Sequence, residues 1–530
     1  MPEPLHNLLT EPMLSVTGDG GGPLAPRTLP EVFAALASGE PVEFAALQPY
    51  QFHAWHAFMV QLGAIAAFRA GASDVTALRD ASQWVEALRA LTDGRDEPWC
   101  LIVPDLSAPA FMQPPVPEGS IANWKDDNAT ATPDAIDLLV TAKNHDVKME
   151  RIAAPRPEHW IFALVSLQTM EGYGGALNYG IARMNGAYSN RPCFAAARDL
   201  GWSTRFVRDA NLLLAARGKI AADHSFDPET GRALLWLEPW DGAEQLGITE
   251  LDPFFIEICR RIRLVQQDDR IVARWTTTKV QRVAVPETQE TQGKKKQKFA
   301  LGDPWVPINR SDGTAVTAID LRYESLPGLL FAGDREPAIA SQVRPVDGDA
   351  PMLVCQVFVR GQGKTDGYYE RFIPVPRKAR LRLTTEDGRR QLGEFSKQRL
   401  AEIKDVASKA LRPALAALLQ GGPDKLNFRD PRLDAFVKPF DRDIDRVFFA
   451  ELFADVELSF EAARIKWLEQ LLAFARATLD DAKQSAPIPA ARVFRAHAAA
   501  DRVFNGAAYR MRAAAGAFIE QGGADEPSNN

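Results

Sequence analysis

The chain is poor in cysteine. Its 530 residues hold four, Cys100, Cys193, Cys259 and Cys355. No two lie close enough to form a CxxC pair, so neither structural zinc nor a disulfide framework has its ligands. Thiols scattered in this way read as small buried hydrophobes. Also missing is any apolar run near the roughly 20 residues of a membrane span. The opening "MPEPLHNLLTEPML" lacks the basic start and apolar stretch of a signal peptide. A soluble, cytoplasmic protein is the expectation. Neither sign of charge dominates: the formal net charge is -7 and the pI about 5.7. That excludes an even basic coat, but not a local basic path for nucleic acid. No internal repeat of solenoid length is visible.

What is present suits a well-packed globular protein: 46% hydrophobic and 25% charged residues. Residues 7–16 read as a short strand with a turn at Glu11-Pro12, and 18–30 as a Gly- and Pro-rich loop. Residues 50–70 have helical periodicity and should form a buried helix, with a second at 76–93. Residues 100–133 read as irregular, 134–141 as the start of a helix, and 159–170 and 200–220 as helices. Runs at 233–240, 271–285 and 352–359 read as strands. From about Gly393 the chain is strongly helical, in segments near 396–420, 441–455, 458–484 and 489–518. The expected fold class is α+β: a mixed α/β domain over 1–390, a four-helix bundle over 391–520 and a polar tail over 521–530. His53 and His56 share a helix face with no third ligand in view, which makes them core or helix-surface histidines. Trp160, Trp202, Trp236 and Trp240 read as core as well.

"RGQGKTDGYYER", residues 360–371, contains the tail of a phosphate-binding loop, Gly363-Lys364-Thr365. The motif's first glycine is replaced by Phe358, and a strand pattern follows where a helix should start. Without that helix N-terminus nothing holds a phosphate, and no cofactor is called for. The stretch reads instead as a β-hairpin with glycines at its tip. A second catalytic alternative is a metal-dependent nuclease centred on Asn144-His145-Asp146, although no further metal ligand stands at the right spacing.

Four stretches, in order, resemble the CasA family, the large subunit of the type I-E CRISPR Cascade surveillance complex. They are "HNLLTEPMLSV" at 6–16, "PAFMQP" at 109–114, "MEGYGGALNYGIARMNGAYSNRP" at 170–192 and the hairpin at 360–371, followed by the helical C-terminal region. The resemblance spans nearly the whole chain. It implies a non-catalytic subunit of a ribonucleoprotein that reads the protospacer-adjacent motif (PAM) in double-stranded DNA and starts strand separation and R-loop formation. The partners implied are guide-RNA-bearing Cascade subunits, target duplex and displaced strand, and a helicase-nuclease.

The resemblance assigns Gly172, Tyr173, Gly174 and Gly175 to a loop whose backbone enters the minor groove, where readout is permissive. Asn178, Arg183, Asn185 and Arg191 follow as candidate phosphate contacts or backbone supports. The run 293–299 packs Lys294, Lys295, Lys296 and Lys298 together. Its likeness to the family's lysine loop makes Lys298 the groove contact, with Lys296 in reserve. The hairpin tip resembles the family's wedge, with Gln362 in that role and Lys364 and Thr365 as alternatives. Asn144, His145, Lys148 and Arg151 fall where the family carries a loop needed for DNA binding. On the first C-terminal helix, Lys397, Arg399, Lys404 and Lys409 are candidates for contact with the displaced strand.

Overall fold

The computed structural model describes residues 3–18, 22–137, 151–183, 191–284, 301–318, 320–331, 333–361, 364–422 and 426–516. They fall into two compact units: Met1–Leu321 with Asp334–Ile373, and Arg322–Gly333 with Pro374–Asn530. The class is mixed helix and strand with a helical C-terminal part, as the sequence pattern predicts.

The first unit is built around one helix that is apolar on all sides. Helix α1 spans Leu29–Ser38, α2 Phe52–Arg69, α3 Ala81–Ala90, α4 Pro157–Met170 and α5 Trp202–His224. In α2 every residue from His53 to Ala67 is buried, the pattern of a helix enclosed by its neighbours. Gly63 lets α2 approach α5 closely, because a Cβ there would lie 2.8 Å from the Phe206 ring. Trp55, Trp84, Trp99, Trp160, Trp236, Trp240 and Trp305 are fully buried around this centre. Each large side chain withdrawn from water contributes on the order of 2 kcal/mol.

Small sheets close the unit. Arg261–Gln267 pairs antiparallel with Arg270–Thr276, placing Leu264 opposite Ala273. Met352–Gly361 runs between Lys364–Pro374 and Pro192–Ala197, with Cys355 opposite Phe194. Gln356 Nε2 donates to the Tyr368 hydroxyl at 2.8 Å across this expected hairpin.

Several sequence expectations shift. The 18–30 loop contains the strand Ala25–Arg27, and α1 starts at Leu29. The 76–93 helix shortens to α3. Of the helix expected over 134–141, the described residues show one tight turn, Pro133–Ala135, and 138–141 lie outside them. Only Arg232–Leu234 of the 233–240 run is strand, after which Trp236 and Trp240 turn into the core.

In the second unit α6 spans Leu326–Leu330, α7 Arg377–Leu383, α8 Glu386–Asp405, α9 Arg412–Leu419, α10 Arg432–Ala454, α11 Phe460–Ser485 and α12 Val493–Ala514. A π-helical turn, Val406–Leu411, joins α8 to α9. Thr385 caps α8 by accepting the Gly388 amide at 3.1 Å, with Glu386 and Asp387 in the first turn. The core is made by one stripe per helix: Phe440, Ile444, Phe448 and Leu452 on α10 face Trp467, Leu471 and Leu479 on α11. The Phe448 and Trp467 rings meet edge-on at 6.1 Å. Among the described residues no helix is long and apolar enough to cross a membrane.

Candidate nucleic-acid interface

Helix α4 ends at Met170, and Glu171 turns the chain into the glycine loop. Gly175 adopts φ 115°, a conformation open to glycine but strained for other residues. The loop closes on itself: the Gly174 amide donates to the Asn178 carbonyl at 2.8 Å, and the Asn178 amide to the Gly175 carbonyl at 3.0 Å. Gly180 packs directly on Gly172, where any Cβ would fall 2.2 Å from the Gly172 carbonyl carbon. Tyr173 and Leu177 are exposed at the outer edge. The Tyr173 ring leans on Tyr179 at 5.7 Å.

The loop is held from behind by one arginine. Arg260 donates from Nη1 to the Tyr179 carbonyl and from Nη2 to the Gly172 carbonyl at 3.2 Å. The chain that leads toward the lysine run holds the same loop. The Thr278 amide donates to the Leu177 carbonyl at 2.9 Å, and Gln281 Nε2 to the carbonyls of Gly180 and Ile181, each at 3.2 Å. The base of the hairpin arrives here too. Arg360 Nη1 donates to both Glu171 carboxylate oxygens at 2.6 and 2.5 Å. A cavity of about 260 Å³ lies among Asp137, Glu171, Gly174, Asn178, Arg260 and Arg360. Asp137 is the last described residue before 138–150, and it accepts a 2.6 Å bond from Gln51.

Thus the loop at 172–175, the approach to 138–150 and the hairpin base meet around one cavity, and the approach to 285–300 bonds to the same loop. Of the predicted site residues, Gly172, Tyr173, Gly174, Gly175 and Asn178 sit there. Asn144, His145, Lys148, Asn185, Lys296, Lys298 and Gln362 lie outside the described residues. Lys364 and Thr365 open the strand Lys364–Pro374. That strand overturns the phosphate-loop alternative, since no helix follows Gly363-Lys364-Thr365. Arg151 is exposed, and its backbone amide donates to the Asp134 carboxylate at 2.6 Å.

Arg399 requires correction as a strand contact, and Arg183, left open between phosphate contact and backbone support, takes the second role. Arg183 is buried: its guanidinium lies 3.8 Å from the centroid of the Phe255 ring and donates to the Pro253 carbonyl at 3.0 Å. Burial pulls its pKa down to about 10. Arg399 is buried as well, paired with Asp455 and lying over the Trp467 ring. Both serve packing rather than a phosphate on the surface. Arg191, left open between contact and support, is also internal, bonded to Asp303 at 2.6 Å. Lys397 and Lys404 are exposed, Lys397 beside Glu394 at 3.0 Å and Lys404 on a rim of α8. Lys409 is paired with Asp405 at 2.8 Å.

The sequence reading missed Glu171, Arg260 and Arg360 as parts of this site. Around this cavity the two carboxylates, Glu171 and Asp137, offset the two arginines, so the cluster brackets loops and is no phosphate cradle. Glu171 and Arg360 each flank a motif that was noticed. Arg260 is 88 residues from Gly172 and carries no local signal.

No known family model matches the sequence, and no curated protein sequence does either. Solved structures do match. A structure described as CRISPR-associated protein Cse1 from Acidimicrobium ferrooxidans aligns at 14% identity over 97% of this chain and 99% of that one, with TM-score 0.62. Thermus thermophilus CasA (Cse1) aligns at 15% identity over 96% and 100%, with TM-score 0.57. A chain of a structure titled "CRISPR RNA-guided surveillance complex" aligns at 14% identity over 95% and 100%, with TM-score 0.54. The chain has the Cse1/CasA fold from end to end.

Proposed function

We propose that this chain is the non-catalytic large subunit of a type I-E Cascade complex, which reads the PAM in duplex DNA and starts its opening. One observation carries the reading. The glycine loop is bonded to the root of the lysine run and, through Arg260 and Glu171, to the base of the hairpin, and the residues before 138–150 line the same cavity. Scattered surface loops have no reason to share one bracket. The Cse1/CasA fold supports the same reading.

In this corner the loop at Gly172–Gly175 offers backbone with little side-chain bulk to the minor groove, where A·T and G·C are told apart. Lys298, or Lys296, supplies the cation of the same groove, and its neighbours neutralise phosphates. Gln362 is the wedge, with Lys364 and Thr365 as alternatives at the tip. Opening the first step costs a few kcal/mol of stacking, offset by the contacts that the opened strands make. Sequence identity beyond the PAM is read by guide pairing. Lys397, Lys404 and Lys409 are the remaining candidates on the helical unit for the displaced strand. The partners are guide-RNA-bearing subunits and a helicase-nuclease.

The test is a titration of guide-RNA complex on target duplexes with varied flanks, with and without this chain. PAM-dependent tightening that needs the chain, and that weakens in Gln362→Ala and Lys298→Ala, is the expected result. Flank-independent binding, with both variants equal to wild type, would overturn the reading.

A further inference from the structure

We infer that Glu171 is a positioning residue that couples the hairpin to the glycine loop, so that groove reading and strand opening act as one unit. The inference rests on the DNA-reading function proposed above.

Glu171 stands at the junction of α4 and the loop, and its carboxylate is 5% exposed. Its place is costly on two counts. A carboxylate at a helix C-terminus meets the negative end of the helix dipole. A buried carboxylate also loses its hydration and needs cationic partners. Both partners come from elements with separate tasks. Arg360 closes on it from the hairpin strand Met352–Gly361, at 2.5 and 2.6 Å. Arg260 approaches it at 3.5 Å while holding the Gly172 and Tyr179 carbonyls.

The Glu171 backbone belongs to the same bracket, because its carbonyl accepts the Ile181 amide at 2.9 Å at the far end of the loop. Any force on the hairpin tip therefore reaches the loop through one carboxylate. Among the described residues, displacing Arg360 leaves the Glu171 carboxylate with one longer cationic contact, Arg260. Displacing the loop takes the Gly172 and Tyr179 carbonyls from Arg260 and leaves it the Cys259 carbonyl and Glu171. The two elements share one buried charge and cannot shift independently at low cost.

The test uses the full chain and the assembled guide complex. In the full chain, amide exchange is followed in the loop (174–181) and the hairpin strand (354–360) for wild type, Glu171→Gln and Arg360→Gln. Arg360→Gln changes only the hairpin side and serves if Glu171→Gln folds poorly. The expected result is faster exchange in both segments for either variant. In the complex, a fluorescent base analogue at the first target pairs reports opening. Opening should slow about ten-fold in either variant, the usual scale for losing a hydrogen bond to a charged group. PAM preference in initial binding should persist. Adding Gln362→Ala to Arg360→Gln should cost little more, because both act through the hairpin.

Unchanged exchange in the loop of Arg360→Gln would overturn the coupling, whatever the DNA does. Additive losses with Gln362→Ala would overturn it as well. A wild-type complex with no PAM-dependent opening would instead sink the proposed function, while exchange still decides whether the bracket is coupled.

Discussion

His53 is enclosed in the middle of the first unit, and neither ring nitrogen meets a hydrogen-bond partner among the described residues. Burial, helped by the nearby Arg191 charge, lowers its pKa from 6.5 to about 3. His56, bonded to Asp209 at 2.9 Å, is lowered too, chiefly by burial and then by Arg205. Below pH 6.5 the unfolded chain takes up protons that the native state refuses. Stability is therefore complete above pH 6.5 and is lost as pH falls toward 3. Each titrating histidine contributes a slope of about 1.4 kcal/mol per pH unit. His53→Phe, which keeps a ring beside Tyr368, should remove one histidine's share of that slope. Urea midpoints at pH 7, 6 and 5 measure it; an unchanged slope in the variant would refute the assignment. The lack of a third ligand left both histidines between core and helix surface, and the enclosing helices put them in the core. The burial of Arg183 and Arg399 was not legible. An arginine looks the same in sequence whether it ends over a phosphate or over Phe255 or Trp467.

At the scale of elements, the glycine loop makes opposite demands at different glycines. Gly180 lies against the Gly172 backbone, which cannot yield without moving the loop. Gly180→Ala should cost about 1–3 kcal/mol, as overpacking does, and should weaken duplex binding by the assembled complex. Gly218, inside α5, has open space around it. Gly218→Ala should stabilise the chain by up to about 1 kcal/mol, because alanine is the better helix former. Chemical unfolding of both variants tests the contrast, and equal effects would contradict the packing argument. The hairpin and the long helices were legible because alternation and 3.6-residue periodicity are local signals. Helix α1 was not read: its first two residues fell in the 18–30 loop and the rest went unassigned, although Thr28 and Glu31 form a capping box, a signal that could have found it. The strand Pro192–Ala197 gave no such signal. Its "PCFAAA" carries alanines that favour helix, and only pairing with Met352–Gly361 makes it a strand.

For the whole molecule, chain order and spatial order part company. The helical unit recruits Arg322–Gly333 from far upstream, with the Tyr323 hydroxyl donating to Asp441 at 2.7 Å. Long-range recruitment of this kind leaves no periodic trace, whereas the helices themselves did. Charge behaves in the same way, since the total conceals the distribution. A net charge of -7 repels DNA at long range, so affinity has to come from local clusters, of which Lys294, Lys295, Lys296 and Lys298 form the densest. Each lysine that neutralises a phosphate adds about 0.9 to the slope of log K against log salt. Replacing all four by glutamine should therefore flatten the salt dependence of duplex binding by the assembled complex by about 3.6 units if every lysine meets a phosphate. A loss of about 2.7, together with weaker PAM discrimination, would place three lysines on phosphates and one in the groove. An unchanged slope would mean that the run faces solvent and that the DNA path lies elsewhere on the chain.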